Sequence, residues 1–309
     1  MRQFSLDSPH LFGLRNTGNT CFLNSVLQCL LRTAPILRTR HRCRGPDFCP
    51  LCALKRLSEQ SATCVTPSEF LKNLKTIGTQ FHLGRQEDAH EFLRCLVEKL
   101  GPPRFLRRIM EGSITSALRC KACGYRSHTE DVFWDLSLEL TASSLATCLR
   151  KFCREEELES HRFLCPQCNR ETTCTKQLSI SQAPQVLILH FKRFTNQGKK
   201  NNRVVRFPVS LTVPIETGRI NVKYDLYAVI IHDGQSCSSG HYFAYVRWGG
   251  EWYEANDSRV RLRDVRTAGG RGAAYILFYE QEQPGVGKKR SRQGDTEELT
   301  KKRMTVANV

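Results

Sequence analysis

The segment GLRNTGNTCFLNSVLQCLL holds the chain's first candidate for chemistry. Gly, Asn and Thr crowd the residues before Cys21, and a helical apolar pattern follows. A cysteine at a helix N-terminus feels the positive end of the macrodipole, which favours thiolate. Free backbone N–H groups at that end can also meet an oxyanion. Taken alone, the same placement suits a small buried core residue, so a nucleophile here requires a base. Of nine histidines, one stands in a distinctive setting, SSGHYFAYVRWGGEWYEANDS. There His241 follows Gly240 at the start of a strand pattern, and a second strand returns after Gly249-Gly250. Such a hairpin brings Asn256 near His241. An amide beside an imidazole fixes its tautomer and orientation, the third role in a Cys–His–Asn arrangement. Gly240 permits close backbone approach by a ligand.

The 15 cysteines offer a second chemistry. Cys120-Lys-Ala-Cys123 and Cys165-Pro-Gln-Cys168 are paired knuckles whose four thiolates suit tetrahedral zinc. Four cysteines leave no open position, so the expected site is structural. A second cluster, His41, Cys43, Cys49 and Cys52, combines CPLC spacing with two irregularly spaced donors. For it, a further zinc site and a metal-free loop both remain open. Cys29, Cys64 and Cys95 read as helix-face or loop thiols. The N-terminal MRQFSLDSPHLFGL lacks the apolar core of a signal peptide. A nuclear or cytoplasmic compartment, where thiols stay reduced, is therefore expected. No stretch approaches the roughly 20 apolar residues of a membrane span. A net charge of +17 favours acidic partners, nucleic acid among them. The charge is spread along the chain and no nucleic-acid motif accompanies it, so direct nucleic-acid contact is not the expected role.

Positioning these residues requires two kinds of structure. The first hundred residues read as mostly helical. Thr20 caps a helix through Cys21, Val26, Leu27, Leu30 and Leu31, with Pro35 just past its end. Thr66-Pro67 opens another through Phe70, Leu71 and Leu74. Gly84 precedes QEDAHEFLRCLVEKL, where Ala89, Phe92, Leu93, Leu96, Val97 and Leu100 form an apolar stripe. From about Ile114 strands take over: SITSALRC, VFWDLSLEL, TKQLSI, QVLILHF, FPVSLTV, YDLYAVIIH, HYFAYVRW, EWYEA and AYILFYE. SLATCLRKF is a short helix among them. A helical half followed by a strand-rich half is an α+β arrangement, and no GxGxxG or P-loop pattern suggests nucleotide binding. The tail from about Gln281 lacks apolar periodicity and reads as disordered. Its KKRSR and KKR runs fit either a bipartite nuclear signal or a solvated tail.

GLRNTGNTCFLNSVLQCL resembles the Cys box of the ubiquitin-specific proteases, and HDGQSCSSGHYFAYVR with WYEANDSRV resembles their His box. QEDAHEFL, HFKRF and FPVSL match further family segments in the same order. The resemblance runs from about Phe12 to Tyr279. It implies a papain-like helical thumb over about 12–110 and a β-sheet palm with zinc-bearing β fingers over about 111–280. It also implies a deubiquitinating thiol protease that cuts after the C-terminal glycine of ubiquitin. Cys21 would be the nucleophile, His241 the base and then acid, and Asn256 the third member, with Asp257 sharing the work as an alternative. Asn16 matches the position whose amide helps form the oxyanion hole; Asn19 is the second choice. Asp88 and Glu91 would meet arginines near ubiquitin's tail, and Gly240 and Tyr242 would line the channel that admits it. The implied partners are ubiquitin and ubiquitinated proteins, and the implied cofactor is structural zinc with none for catalysis. An inactive ubiquitin-binding scaffold is the alternative. A basic zinc-containing nucleic-acid binder would leave the Cys and His boxes unexplained.

Overall fold

The computed structural model describes residues 11–282 apart from 42, 44–46, 101–102, 196–197, 216–218, 237–238 and 267–273. The basic tail with its KKRSR and KKR runs lies outside the described residues. A short strand, β1 (Gly13–Leu14), leads into α1 (Cys21–Leu30), α2 (Ala34–Leu37) and α3 (Pro50–Ser58). Then come β2 (Cys64–Val65), α4 (Ser68–Lys72), α5 (Leu74–Ile77), α6 (Ala89–Lys99) and α7 (Pro103–Met110). The strand-rich half holds β3 (Gly112–Cys120), β4 (Arg126–Phe133), β5 (Leu136–Glu139), α8 (Leu145–Phe152), β6 (Glu156–Leu164) and β7 (Glu171–Gln182). It continues through β8 (Val186–Lys192), β9 (Ser210–Ile215), β10 (Ile220–Ser236), β11 (Ser239–Trp248), β12 (Glu251–Asn256), β13 (Arg259–Leu262) and β14 (Ala274–Gln281). The expected α+β arrangement is what forms.

Every residue of α1 is buried, which its sequence makes costly, because Asn24, Ser25 and Gln28 are polar. Each finds a partner. Asn24 Nδ2 donates to the Leu14 carbonyl, Gln28 Nε2 to the Phe12 carbonyl and Ser25 Oγ to the Phe22 carbonyl. Burying a polar group without such a bond costs about 1–3 kcal/mol. The first two amides therefore stitch the segment before α1 onto the helix. Around α1 the helices α2 to α7 form the thumb, with Phe22 edge-on to Phe92 at 5.3 Å between ring centres.

The palm is an eight-stranded sheet ordered β13-β12-β11-β10-β14-β8-β5, with β9 also paired to β10. Its pairs are antiparallel except β5 with β8. Both faces are covered. Val186, Ile188, Ala228, Ile230, Ile276 and Phe278 join the thumb core. Their alternates Leu187, Leu189, Val229, Ile231, Leu277 and Tyr279 join a second core with α8 and β9. This is why QVLILHF, YDLYAVIIH and AYILFYE read as nearly unbroken apolar runs. The fingers are a separate antiparallel sheet, β4-β3-β7-β6, inserted between thumb and palm. Its strands are mostly half-exposed, so their pattern is weak.

Several local expectations shift. Thr20 stands at the N-cap position of α1, but its side chain makes no cap bond; its hydroxyl donates to Asn16 Oδ1 instead. Pro35 lies past the end of α1, as expected, and is also the second residue of the short helix α2. Pro67, not Thr66, occupies the N-cap position of α4. α6 starts at Ala89, capped by Asp88, whose carboxylate accepts from the His90 and Glu91 N–H groups. VFWDLSLEL is two strands in two different sheets, because the chain leaves the fingers at Phe133 and enters the palm at Leu136.

Arg193, just beyond β8, is 1% exposed. Its Nε donates to the Ala274 carbonyl at 2.5 Å, and its Nη1 to the carbonyls of Asn201 and Arg203 at 2.9 and 3.0 Å. It thereby fixes the loop after β8 against the start of β14. Arg193→Met keeps length and loses all three hydrogen bonds; urea unfolding should show a loss of about 3 kcal/mol or more.

Candidate active site

Cys21 is the first residue of α1 and is 5% exposed. The loop before it is held open by left-handed backbone at Gly18 (φ 110°) and Asn19 (φ 54°). Asn16 Oδ1 organises that loop by accepting from the N–H groups of Gly18 and Thr20. His241 lies near the start of β11, which packs directly on α1. Its Nε2 is 2.7 Å from Asn256 Oδ1 at the end of β12. The amide oxygen only accepts, so the ring carries its hydrogen on Nε2, and Nδ1 is left for Cys21. The Cys21 sulfur facing the ring is the largest cause raising its pKa to about 9; burial opposes this, and Asn256 and the Asp257 charge add to the rise. The structure thus brings Cys21, His241 and Asn256 into one line.

Asp257 turns elsewhere. It adopts a left-handed conformation (φ 47°), and two side-chain amides take up its carboxylate. Oδ2 accepts from Asn16 Nδ2 at 2.9 Å and Oδ1 from Asn24 Nδ2 at 2.8 Å. Its backbone carbonyl accepts from the Leu14 N–H. Two neighbouring residues thus divide the work: Asn256 orients the imidazole, and Asp257 anchors the Asn16 amide beside Cys21. Asn19 donates to the Gly84 carbonyl across the loop.

Beside His241 the palm meets the thumb. The Gly240 N–H donates to Gln86 Oε1 at 3.0 Å, bridging palm and thumb. A Cβ on Gly240 would lie 2.2 Å from His232 Nε2, so no side chain fits. His232 is wholly buried, and desolvation pushes its pKa down to about 3, so it stays neutral. Tyr242 is 4% exposed; its hydroxyl and that of Tyr275 both donate to Asp88 Oδ2, at 3.4 and 2.7 Å. Asp88 is therefore both helix cap and tyrosine acceptor. Glu91 is exposed, with Gln80 Nε2 at 3.1 Å. Asn24, Gln86, His232 and Tyr275 escaped the sequence reading. Asn24 alone carried a signal, a polar residue three positions after Cys21 on a helix whose only other polar residues are Ser25 and Gln28.

The fingers hold the four-cysteine group. Cys120, Cys123, Cys165 and Cys168 place their sulfurs within 4.8 Å of one another. Cys123 and Cys165 are 3.7 Å apart, Cys120 and Cys168 4.0 Å. Tetrahedral zinc with thiolate bonds near 2.3 Å needs about 3.8 Å between sulfurs, so the residues fit the ion. The two knuckles repeat one design. In each, the first cysteine's carbonyl accepts from the residue four on, Gly124 or Asn169, which has positive φ.

The ubiquitin carboxyl-terminal hydrolase family model matches residues 12–279. Ubiquitin carboxyl-terminal hydrolase 23 of Arabidopsis thaliana is 35% identical over 90% of this chain, which spans 36% of that relative's length. Ubiquitin carboxyl-terminal hydrolase 17-like protein B of Mus musculus is 34% identical over 87% of the chain, which spans 64% of its length. Among solved structures, the SAGA Ubp8/Sgf11/Sus1/Sgf73 DUB module bound to ubiquitin aldehyde superposes with a TM-score of 0.75. It is 28% identical, covering 88% of this chain and 70% of that one. The module bound to monoubiquitin gives 0.76 at 30% identity, covering 90% and 71%.

With the Cys21 sulfur as the main cause, the His241 imidazolium should lose much of its support when the sulfur is removed. NMR titration of His241 should give a pKa near 9 in wild type, and a clearly lower value, toward the ordinary 6.5, in Cys21→Ala. In wild type the protonated ring persists up to that pH, so kcat/KM should fall on the alkaline side near 9.

Proposed function

The chain belongs to the ubiquitin carboxyl-terminal hydrolase family, and we propose that it is a deubiquitinating thiol protease acting on the bond after ubiquitin's C-terminal glycine. The observation that carries this reading is the alignment of Cys21, His241 and Asn256 at the buried N-terminus of α1. The Cys21 thiolate attacks the glycine carbonyl. The oxyanion is met by the Asn16 amide, one of whose hydrogens is already committed to Asp257, and by the Cys21 backbone N–H. Protonated His241 gives its Nδ1 proton to the departing lysine amine as the C–N bond breaks, leaving a thioester on Cys21. The neutral ring then takes a proton from water, which attacks the thioester and frees ubiquitin's carboxylate and the thiol.

In this reading Gly240 and Tyr242, on either side of His241, would line the channel for a tail whose last residues lack side chains, as those of ubiquitin's Gly-Gly tail do. Exposed Glu91 is the carboxylate offered to an incoming tail arginine. Asp88, bound to Tyr242 and Tyr275, contributes its charge from a fixed position. The ubiquitin-bound state of the similar solved modules supports the same partner. The reaction itself takes no cofactor in this reading; the fingers' zinc would hold the two knuckles together. We assign the protein to nuclear or cytoplasmic compartments, a reading supported by the free state of the described cysteines.

A ubiquitin probe ending in an electrophile should label the wild-type chain at Cys21 and leave Cys21→Ala unlabelled. Equal labelling of the two, or none of a folded wild type, would refute the protease reading. Asn16→Ala should lower kcat about 100-fold with little change in KM, the loss expected for one oxyanion donor.

A further inference from the structure

We propose that His41, Cys43, Cys49 and Cys52 form a second zinc site, on the thumb and independent of the fingers. The four ligand atoms lie within 4.8 Å of one another. His41 Nε2 is 3.5 Å from Cys43 Sγ and 3.3 Å from Cys49 Sγ, and the sulfurs of Cys43 and Cys52 are 3.0 Å apart. That last distance is well beyond the roughly 2.05 Å of a disulfide, so the group is a set of free donors. A tetrahedral ion needs sulfurs about 3.8 Å apart, and the ring of donors reaches that by opening less than about 1 Å.

The donors come from two separate segments. His41 and Cys43 belong to the stretch after α2, while Cys49 is the N-cap of α3 and Cys52 lies in its first turn. Cys49-Pro-Leu-Cys52 has the same Cys-Pro-x-Cys form as Cys165-Pro-Gln-Cys168 in the fingers. Pro50 falls at the start of α3, where its missing N–H costs nothing. Leu51, Leu54 and Leu57 on the helix's other face are buried in the thumb core, so the donors are held at its rim.

Charge agrees. Zinc with three thiolates and a neutral imidazole carries one net negative charge. It would sit at the positive end of α3, a nine-residue helix, with Lys55 and Arg56 on the next turn. With four protein ligands the site is closed and structural. It would fasten the stretch after α2 to α3, and α3 packs against α4, which directly follows β2, the partner of β1.

Metal analysis of the purified full chain tests this. Wild type should hold two zinc equivalents. Cys52→Ser and Cys168→Ser should each hold one, and the double variant none. For a readout that survives a poorly folding variant, cobalt can replace zinc in Cys168→Ser, leaving only the thumb site. Thiolate-to-cobalt absorption and tetrahedral d–d bands should appear, and His41→Ala should weaken or shift them. A single equivalent in wild type that is lost in Cys168→Ser would overturn the proposal, as would two equivalents retained in Cys52→Ser. Labelling by the ubiquitin probe reports the protease reading separately, whatever the metal count.

Discussion

The site depends on one crossing of chain, where the segment before α1 runs against the turn after β12. Gly13 passes so close to Ser258 that a Cβ would lie 2.3 Å from its carbonyl oxygen. At the next residues the Leu14 N–H donates to the Asp257 carbonyl, and the Asp257 carboxylate takes Asn16 on one oxygen and Asn24 on the other. This clasp fixes the loop that carries Cys21, the proposed nucleophile, to the hairpin that carries His241, the proposed base, and Asn256. Cys21 and His241 are 220 residues apart in sequence. Their registration within a hydrogen bond follows from the clasp and from α1 lying buried against β11.

The two-faced palm explains why the clasp can be rigid. Its central strands are buried on both sides, by the thumb on one face and by α8 and β9 on the other. Strand register there is strongly specified, because a one-residue slip would exchange every side chain between two different cores. β11 carries His241 on a strand paired with β10, whose register is set in this way. The fingers bear no such constraint. Their sheet is half-exposed, and the metal knuckle at its far end closes what a core would otherwise hold.

Much of this was legible in the sequence, and the exceptions are physical. Buried strands announced themselves as apolar runs, and α6 as a stripe. β6, EELESHRFL, gave no such signal; the described residues of its sheet are mostly exposed or half-buried, which imposes little alternation. α3 was hidden by its cysteines, whose spacing suggested metal before helix. That Cys21, His241 and Asn256 come together could be anticipated, because a cysteine at a helix start, a hairpin histidine and a following amide each leave a local pattern. The division between Asn256 and Asp257 could not, since adjacent residues are separated only by the left-handed turn at Asp257. Nor could Gln86 or Tyr275, whose partners lie 154 and 187 residues away.

The central claim is that Asp257 acts through Asn16 while Asn256 acts through His241. A double-mutant cycle on kcat/KM, with a fluorogenic amide at ubiquitin's C-terminus, tests it most directly. Thermal unfolding of each variant shows that the fold is kept. Asn16→Ala and Asp257→Ala should be strongly non-additive, the pair costing little more than the worse single change, whereas Asn256→Ala and Asp257→Ala should approach additivity. Additive losses for Asn16 with Asp257, together with strong coupling between Asp257 and Asn256, would contradict the account.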